Sequence, residues 1–119
     1  MHFVVTLSGT ISVSDEDGNQ PANVGELLSS YLSSVMDEFC TMNVMDPDIE
    51  LDLNTCSVQF AILVEAADPD VAISTASPLV RSAIHGAGGA TPDWPDSDHQ
   101  AWAVRQIWFS ARPVEPVPA

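Results

Sequence analysis

Four carboxylates at alternate positions, Asp46, Asp48, Glu50 and Asp52, carry the most evident chemistry in this chain. In an extended strand, side chains two residues apart share a face at a spacing of about 6.6 to 7 Å, so the row presents a line of negative charge. Such a line can dock on an Arg-rich protein surface or imitate the phosphates of a nucleic acid. A plainer role competes with these, because charge on an edge strand also discourages pairing with another sheet.

Two further groups of residues have ligand-like spacing. Asp15, Asp17, Asn19 and Glu26 offer oxygen atoms at positions 1, 3, 5 and 12 of a loop resembling a calcium-binding loop, with Asn23 at position 9. Gln20 stands where the sharp turn of such a loop wants Gly, and a strand precedes it. Glu26 is equally placed to form a capping box with Asn23 at the start of a helix. In the second group, His85, Trp94 and His99 surround a loop that begins with Gly86, Gly88 and Gly89. They can line a ligand site, or hold a metal with Asp96 or Asp98, only if the fold brings them together. For His85 alone, a place at a helix C-terminus is the simpler explanation.

Nothing here assembles a nucleophile with its base. The serines at 29, 30, 33 and 34 fall on the polar side of a helix, and no GxSxG is present. The expectation is a non-enzymatic protein that needs no cofactor. Its charge narrows the partners further. Seventeen Asp and Glu face three Lys and Arg, all of them Arg (Arg81, Arg105, Arg112), for a net charge of −14. That field repels nucleic-acid backbones and anionic lipid and favours a cationic or apolar surface on a partner protein. With no leader-like N-terminus and no apolar run near the roughly 18 to 20 residues that span a bilayer, a cytoplasmic location is expected. Cys40 and Cys56 have no CxxC spacing and read as core thiols.

The elements that must position these residues follow from periodicity. Residues 2–13 alternate as a strand, with Phe3, Val5 and Leu7 on one face and Gly9 marking a bulge or bend. Val24, Leu27, Leu28, Tyr31, Leu32, Val35 and Phe39 form the apolar stripe of a first helix. Ile49, Leu51 and Leu53 face a core from the acidic strand, and the run from Cys56 to Ala66, apolar on both faces, is a central strand. Asp68 caps a second helix with Pro69 at its first position, and Pro78 predicts a kink or break inside it. The final strand alternates Ala103, Arg105, Ile107 and Phe109 against Trp102, Val104, Gln106 and Trp108.

This order predicts one α+β domain over residues 1–112, with a proline-rich flexible tail at 113–119. It resembles the ferredoxin-like βαββαβ plan, a four-stranded antiparallel sheet with two helices on one face and strands 1 and 3 in the centre. That plan hosts many unrelated functions. Simple alternation leaves Val4, Leu63, Trp102, Val104 and Trp108 on the uncovered face, an apolar patch expected to bind a protein partner or a second copy as a homodimer. The loop at 86–99 and the tail are rival covers for it. A small-molecule sensor, with a ligand between sheet and loop, is the alternative function; an enzyme of the dimeric barrel kind would need polar groups on that face.

The stretch from Val80 to Pro95, with its His85-Gly86-Ala87-Gly88-Gly89 core and Asp93-Trp94-Pro95 end, resembles a segment of small uncharacterised proteins of actinobacteria and their bacteriophages. The resemblance implies such an origin and carries no chemistry with it.

Overall fold

The computed structural model describes residues 1–13, 22–92 and 102–114. Its elements are β1 (His2–Val13), α1 (Val24–Thr41), β2 (Met45–Asp52), β3 (Ser57–Glu65), α2 (Pro69–Gly86), β4 (Gly89–Ala90) and β5 (Trp102–Pro113). The strands form one mixed sheet in the order β2-β3-β1-β5-β4. Every pairing is antiparallel except that of β4 with β5, which is parallel. Among the described residues the fold is therefore α+β with two helices, and the sheet has five strands where four antiparallel ones were expected. The extra strand arises just past α2, where Gly89 and Ala90 lie beside Trp102 and Ala103.

One face of the sheet and both helices enclose the core. Phe3, Val5 and Leu7 of β1 meet Val64, Ile62 and Phe60 of β3 in register, and all six are buried. From α1 come Leu28, Leu32, Val35 and Phe39, one side of the predicted stripe; from α2 come Ala72, Ala76, Val80, Ala83 and Ile84. The small alanines let α2 approach the sheet closely, while α1 fills the remaining volume with larger side chains.

The helix ends differ from one another. Asp68 accepts a hydrogen bond from the Val71 N–H at 2.9 Å, with Pro69 opening α2 as its fixed φ allows. Asn23 occupies the corresponding place before α1 but makes no side-chain cap bond, so the predicted capping box is absent. Pro78 neither ends nor divides α2, which runs as one 18-residue helix. Its position is exposed, so water can satisfy the carbonyl one turn earlier that the missing N–H leaves unpaired.

Three other expectations change. Cys40 and Cys56 are exposed free thiols rather than core residues. Leu53 is exposed, because the chain has already left β2 for the turn to β3, where the Asn54 N–H bonds the Asp52 carboxylate at 2.9 Å. Pro113, placed in the tail by composition, ends β5 opposite Phe3, and the Val114 N–H donates to the His2 carbonyl at 2.9 Å. The sheet thus reaches slightly further than apolar alternation indicated.

The last strand carries the main correction. Between Ser8 and Thr10 the register of β1 on β5 shifts: Ser8 lies opposite Trp108, yet Thr10 lies opposite Arg105. Two residues on β1 span three on β5, which is a β-bulge with Gln106 at φ 53°. Gly9 makes room for it. A Cβ there would lie 2.8 Å from the Arg105 carbonyl oxygen and 2.8 Å from Val104 Cγ1. Because side chains alternate with period two, the extra residue exchanges the faces of everything before it in β5. Trp102 and Val104, expected on the uncovered face, are buried in the core, and Arg105, expected among core residues, is exposed.

Candidate interaction face

With that exchange, the face that no described residue covers becomes a lattice of mostly polar side chains; most of the tail and residues 93–99 of the loop, the rival covers expected for it, lie outside the described residues. Pairing registers order it into rows running from β5 through β1 and β3 to β2: Arg112, Val4, Leu63, Met45; then Ser110, Thr6, Ala61, Asp48; then Trp108, Ser8, Gln59, Glu50; then Arg105, Thr10, Ser57, Asp52. Of the apolar set expected here, Val4, Leu63 and Trp108 remain. Val4 and Leu63 are half-buried, and Trp108 is 59% exposed.

Asp48, Glu50 and Asp52 share this face, as alternation required. Asp46 does not join them in register. A second shift lies between Met45 and Asp48, where β2 advances three residues against two of β3, and Asp46 has φ 45°. Pro47 sits in the same bulge, consistent with the confinement of proline to sheet edges and bulges. The row is therefore one of three acids at the edge of the sheet.

Arg112 and Arg105 stand on the opposite side of the lattice, on β5. Three strand intervals, about 14 Å in all, separate their backbone from that of the acids. The two lines of charge bound a shallow depression of about 390 Å³ lined by Val4, Thr6, Asp48, Glu50, Gln59, Ala61, Ser110 and Arg112. Among the described residues the one ion pair is His2 with Glu65, at 4.0 Å, so the acids of β2 and the two arginines of β5 have no salt-bridge partners there. At the centre of the lattice, the Ser8 hydroxyl is buried with no hydrogen-bond partner among the described residues. Sequence reasoning passed over Arg105, Arg112, Ser8 and Gln59. The available signal was Arg105 itself, since uninterrupted alternation would have set an unpaired guanidinium beside Ile107 and Phe109.

The second candidate group stands apart from this face. His85 Nε2 lies 3.0 Å from the Thr91 hydroxyl, which also accepts a hydrogen bond from Arg81 Nε at 3.0 Å. Arg81 donates further to the Pro92 carbonyl. Together these fasten the chain after β4 to α2. Partial burial, and secondarily the nearby Arg81 charge, hold the His85 pKa below its ordinary value of 6.5. Because the folded-state value is the lower one, the neutral ring is favoured by folding; the associated stability is complete above the unfolded pKa and is lost as pH falls toward the folded one. The His85→Gln variant should therefore lose less stability than the parent chain between pH 7.5 and 5, measured by urea unfolding at each pH. An equal loss would show that His85 titrates no differently in the folded chain. Trp94 and His99 lie outside the described residues, as do Asp15, Asp17 and Asn19; Glu26 is exposed in the first turn of α1.

Among the described residues no three His, Cys, Asp or Glu side chains gather as a metal site, and no helix is long and apolar enough to cross a membrane. Comparison with protein-family models, with curated proteins and with solved structures finds no match.

Proposed function

We propose that this chain is a non-enzymatic interaction protein of the cytoplasm that docks a cationic protein surface on its uncovered sheet face. On this reading β1, β2, β3 and β5 with the two helices are a ferredoxin-like unit to which β4 has been added. The observation that carries the proposal is the in-register row Asp48, Glu50 and Asp52, exposed along one side of a face that also presents Trp108. Carboxylates steer and orient a cationic partner, and an exposed aromatic ring supplies the desolvated contact that charge alone does not. The net charge of −14 disfavours nucleic acid as that partner.

An Arg-rich peptide is a suitable probe, with two variants of equal net charge. Neutralising the row (Asp48→Asn, Glu50→Gln, Asp52→Asn) should weaken binding on the order of tenfold or more, since each charged contact is worth about 0.5 kcal/mol or above. Neutralising exposed acids on the helices (Glu26→Gln, Asp37→Asn, Asp70→Asn) should leave it within about twofold, the residual effect of long-range charge. Equal weakening in both would reduce the effect to net charge and end the proposal.

A second reading, a module that binds a small molecule, rests on the depression between Glu50 and Arg112, whose polar lining suits a ligand bearing both signs of charge. A saturable rise in melting temperature with such a ligand, absent in Arg112→Gln, would favour it.

A further inference from the structure

The charge lattice of the uncovered face is complementary to itself, and we infer that its occupant is a second copy of this chain. This inference rests on the same face being a docking surface and names the partner. Two sheets packed face to face are related by a two-fold axis lying between them. An axis perpendicular to the strands would set β2 over β2 and acid over acid. An axis parallel to the strands sets β2 of each copy over β5 of the other and leaves the rows aligned. Asp52 then faces the partner's Arg105, and Asp48 lies one row from the partner's Arg112. Trp108 faces the partner's Glu50 side chain and comes out of water.

Three observations favour this arrangement over a foreign partner. Of only three cationic side chains in the sequence beyond histidine, two lie on this face. Both are on the strand that the parallel axis brings over the acids, and among the described residues neither has a carboxylate partner in its own chain. Lastly, a partner bearing only cations would leave Arg105 and Arg112 facing like charge, whereas a second copy satisfies both lines at once. The net charge of −14 on each copy opposes association at long range. That repulsion is screened beyond about 8 Å at physiological ionic strength, while pairs in contact are screened much less.

The inference is tested by molar mass in solution, up to submillimolar protein and at physiological salt. The parent chain should sediment at twice its 12.7 kDa mass. Two variants invert one side of the lattice each: Arg105→Glu with Arg112→Glu, and Asp48→Arg with Asp52→Arg. Each alone should be monomeric, because like charges then meet across the axis, and an equimolar mixture should recover the dimer, since opposite charges meet again at all four contacts. The mixture also guards against misfolding, which mixing would not repair.

A parent chain that dimerises with both variants unaffected overturns the inference, as does a mixture that stays monomeric while circular dichroism shows both variants folded. A monomeric parent chain that still binds the Arg-rich peptide through its acid row overturns the second copy and leaves the docking surface standing. A monomeric chain with no row-dependent binding removes both.

Discussion

Replacing Trp102 by Ala should destabilise the folded chain by about 3 to 5 kcal/mol, the range for truncating a large buried aromatic side chain. The ring is 2% exposed at the start of β5. It stacks on Tyr31 of α1 with centroids 5.5 Å apart and planes 14° from parallel, and its Nε1–H donates to the Ala87 carbonyl at 3.3 Å. It thus ties α1, the end of α2 and β5 together. The same ring fits only because residue 89 is Gly: a Cβ there would lie 2.6 Å from Trp102 Cζ2 and 2.8 Å from Ile84 Cγ2. At roughly 4 °C per kcal/mol for a chain of this size, the melting temperature should fall by about 12 to 20 °C. Trp108→Ala, by contrast, removes a ring that is 59% exposed and should stay within about 0.5 kcal/mol in the monomer. Comparable losses in the two variants would mean that the face exchange in β5 is wrong.

The second large effect is expected at Gly9. Gly9→Val brings branched carbon atoms to where a Cβ alone would already lie 2.8 Å from the Arg105 carbonyl oxygen and from Val104 Cγ1, and 3.2 Å from Ile107 Cγ2. One of those obstacles is backbone, which cannot rotate away. Overpacking of this kind costs about 1 to 3 kcal/mol, and the upper end applies where a backbone atom must move. The variant can relieve the clash by losing the bulge, but a one-residue slip would turn Trp102 and Val104 toward water and Arg105 toward the core. Urea unfolding should show a loss near 3 kcal/mol, and any dimer should weaken along with it, since Arg105 is no longer held on the uncovered face. A neutral Gly9→Val would show that the bulge does not depend on the missing side chain.

The helices and the first strand were legible because each buries mainly one face, and a single apolar period then identifies it. Val24 to Phe39 and Phe3 to Leu7 are such cases. The bulge in β5 was not legible from that strand alone, since Trp102, Val104, Ile107 and Phe109 read as two opposed sets unless an extra residue is inserted between them. Gly9 announced an irregularity in β1, yet its effect falls on the partner strand, and single-strand periodicity has no term for a neighbour. The candidate face suffered accordingly. Three of its acids were placed on the correct side, and the fourth, Asp46, was lost to a bulge beside Pro47. The apolar character expected of the face was an artefact of assigning Trp102 and Val104 to it. The cap predicted at Asn23 failed for a different reason, because sequence spacing supplies the donor and acceptor but not the backbone angles, and φ −99° with ψ 35° is not the extended geometry that such a cap adopts.

The two flanks of the sheet bear on how the chain behaves when concentrated. Along β2 the ladder is interrupted at Asp46 and Pro47, where a left-handed φ and a missing N–H leave no straight run of donors. On the far side β4 occupies only the beginning of β5, beside Trp102 and Ala103. The remaining stretch of β5 is broken at Gln106 and stops at Pro113. Among the described residues, lateral growth of the sheet from one molecule to the next, the step that starts a fibril, therefore lacks a continuous template on either flank, and crowded solutions of this protein should yield discrete particles rather than filaments.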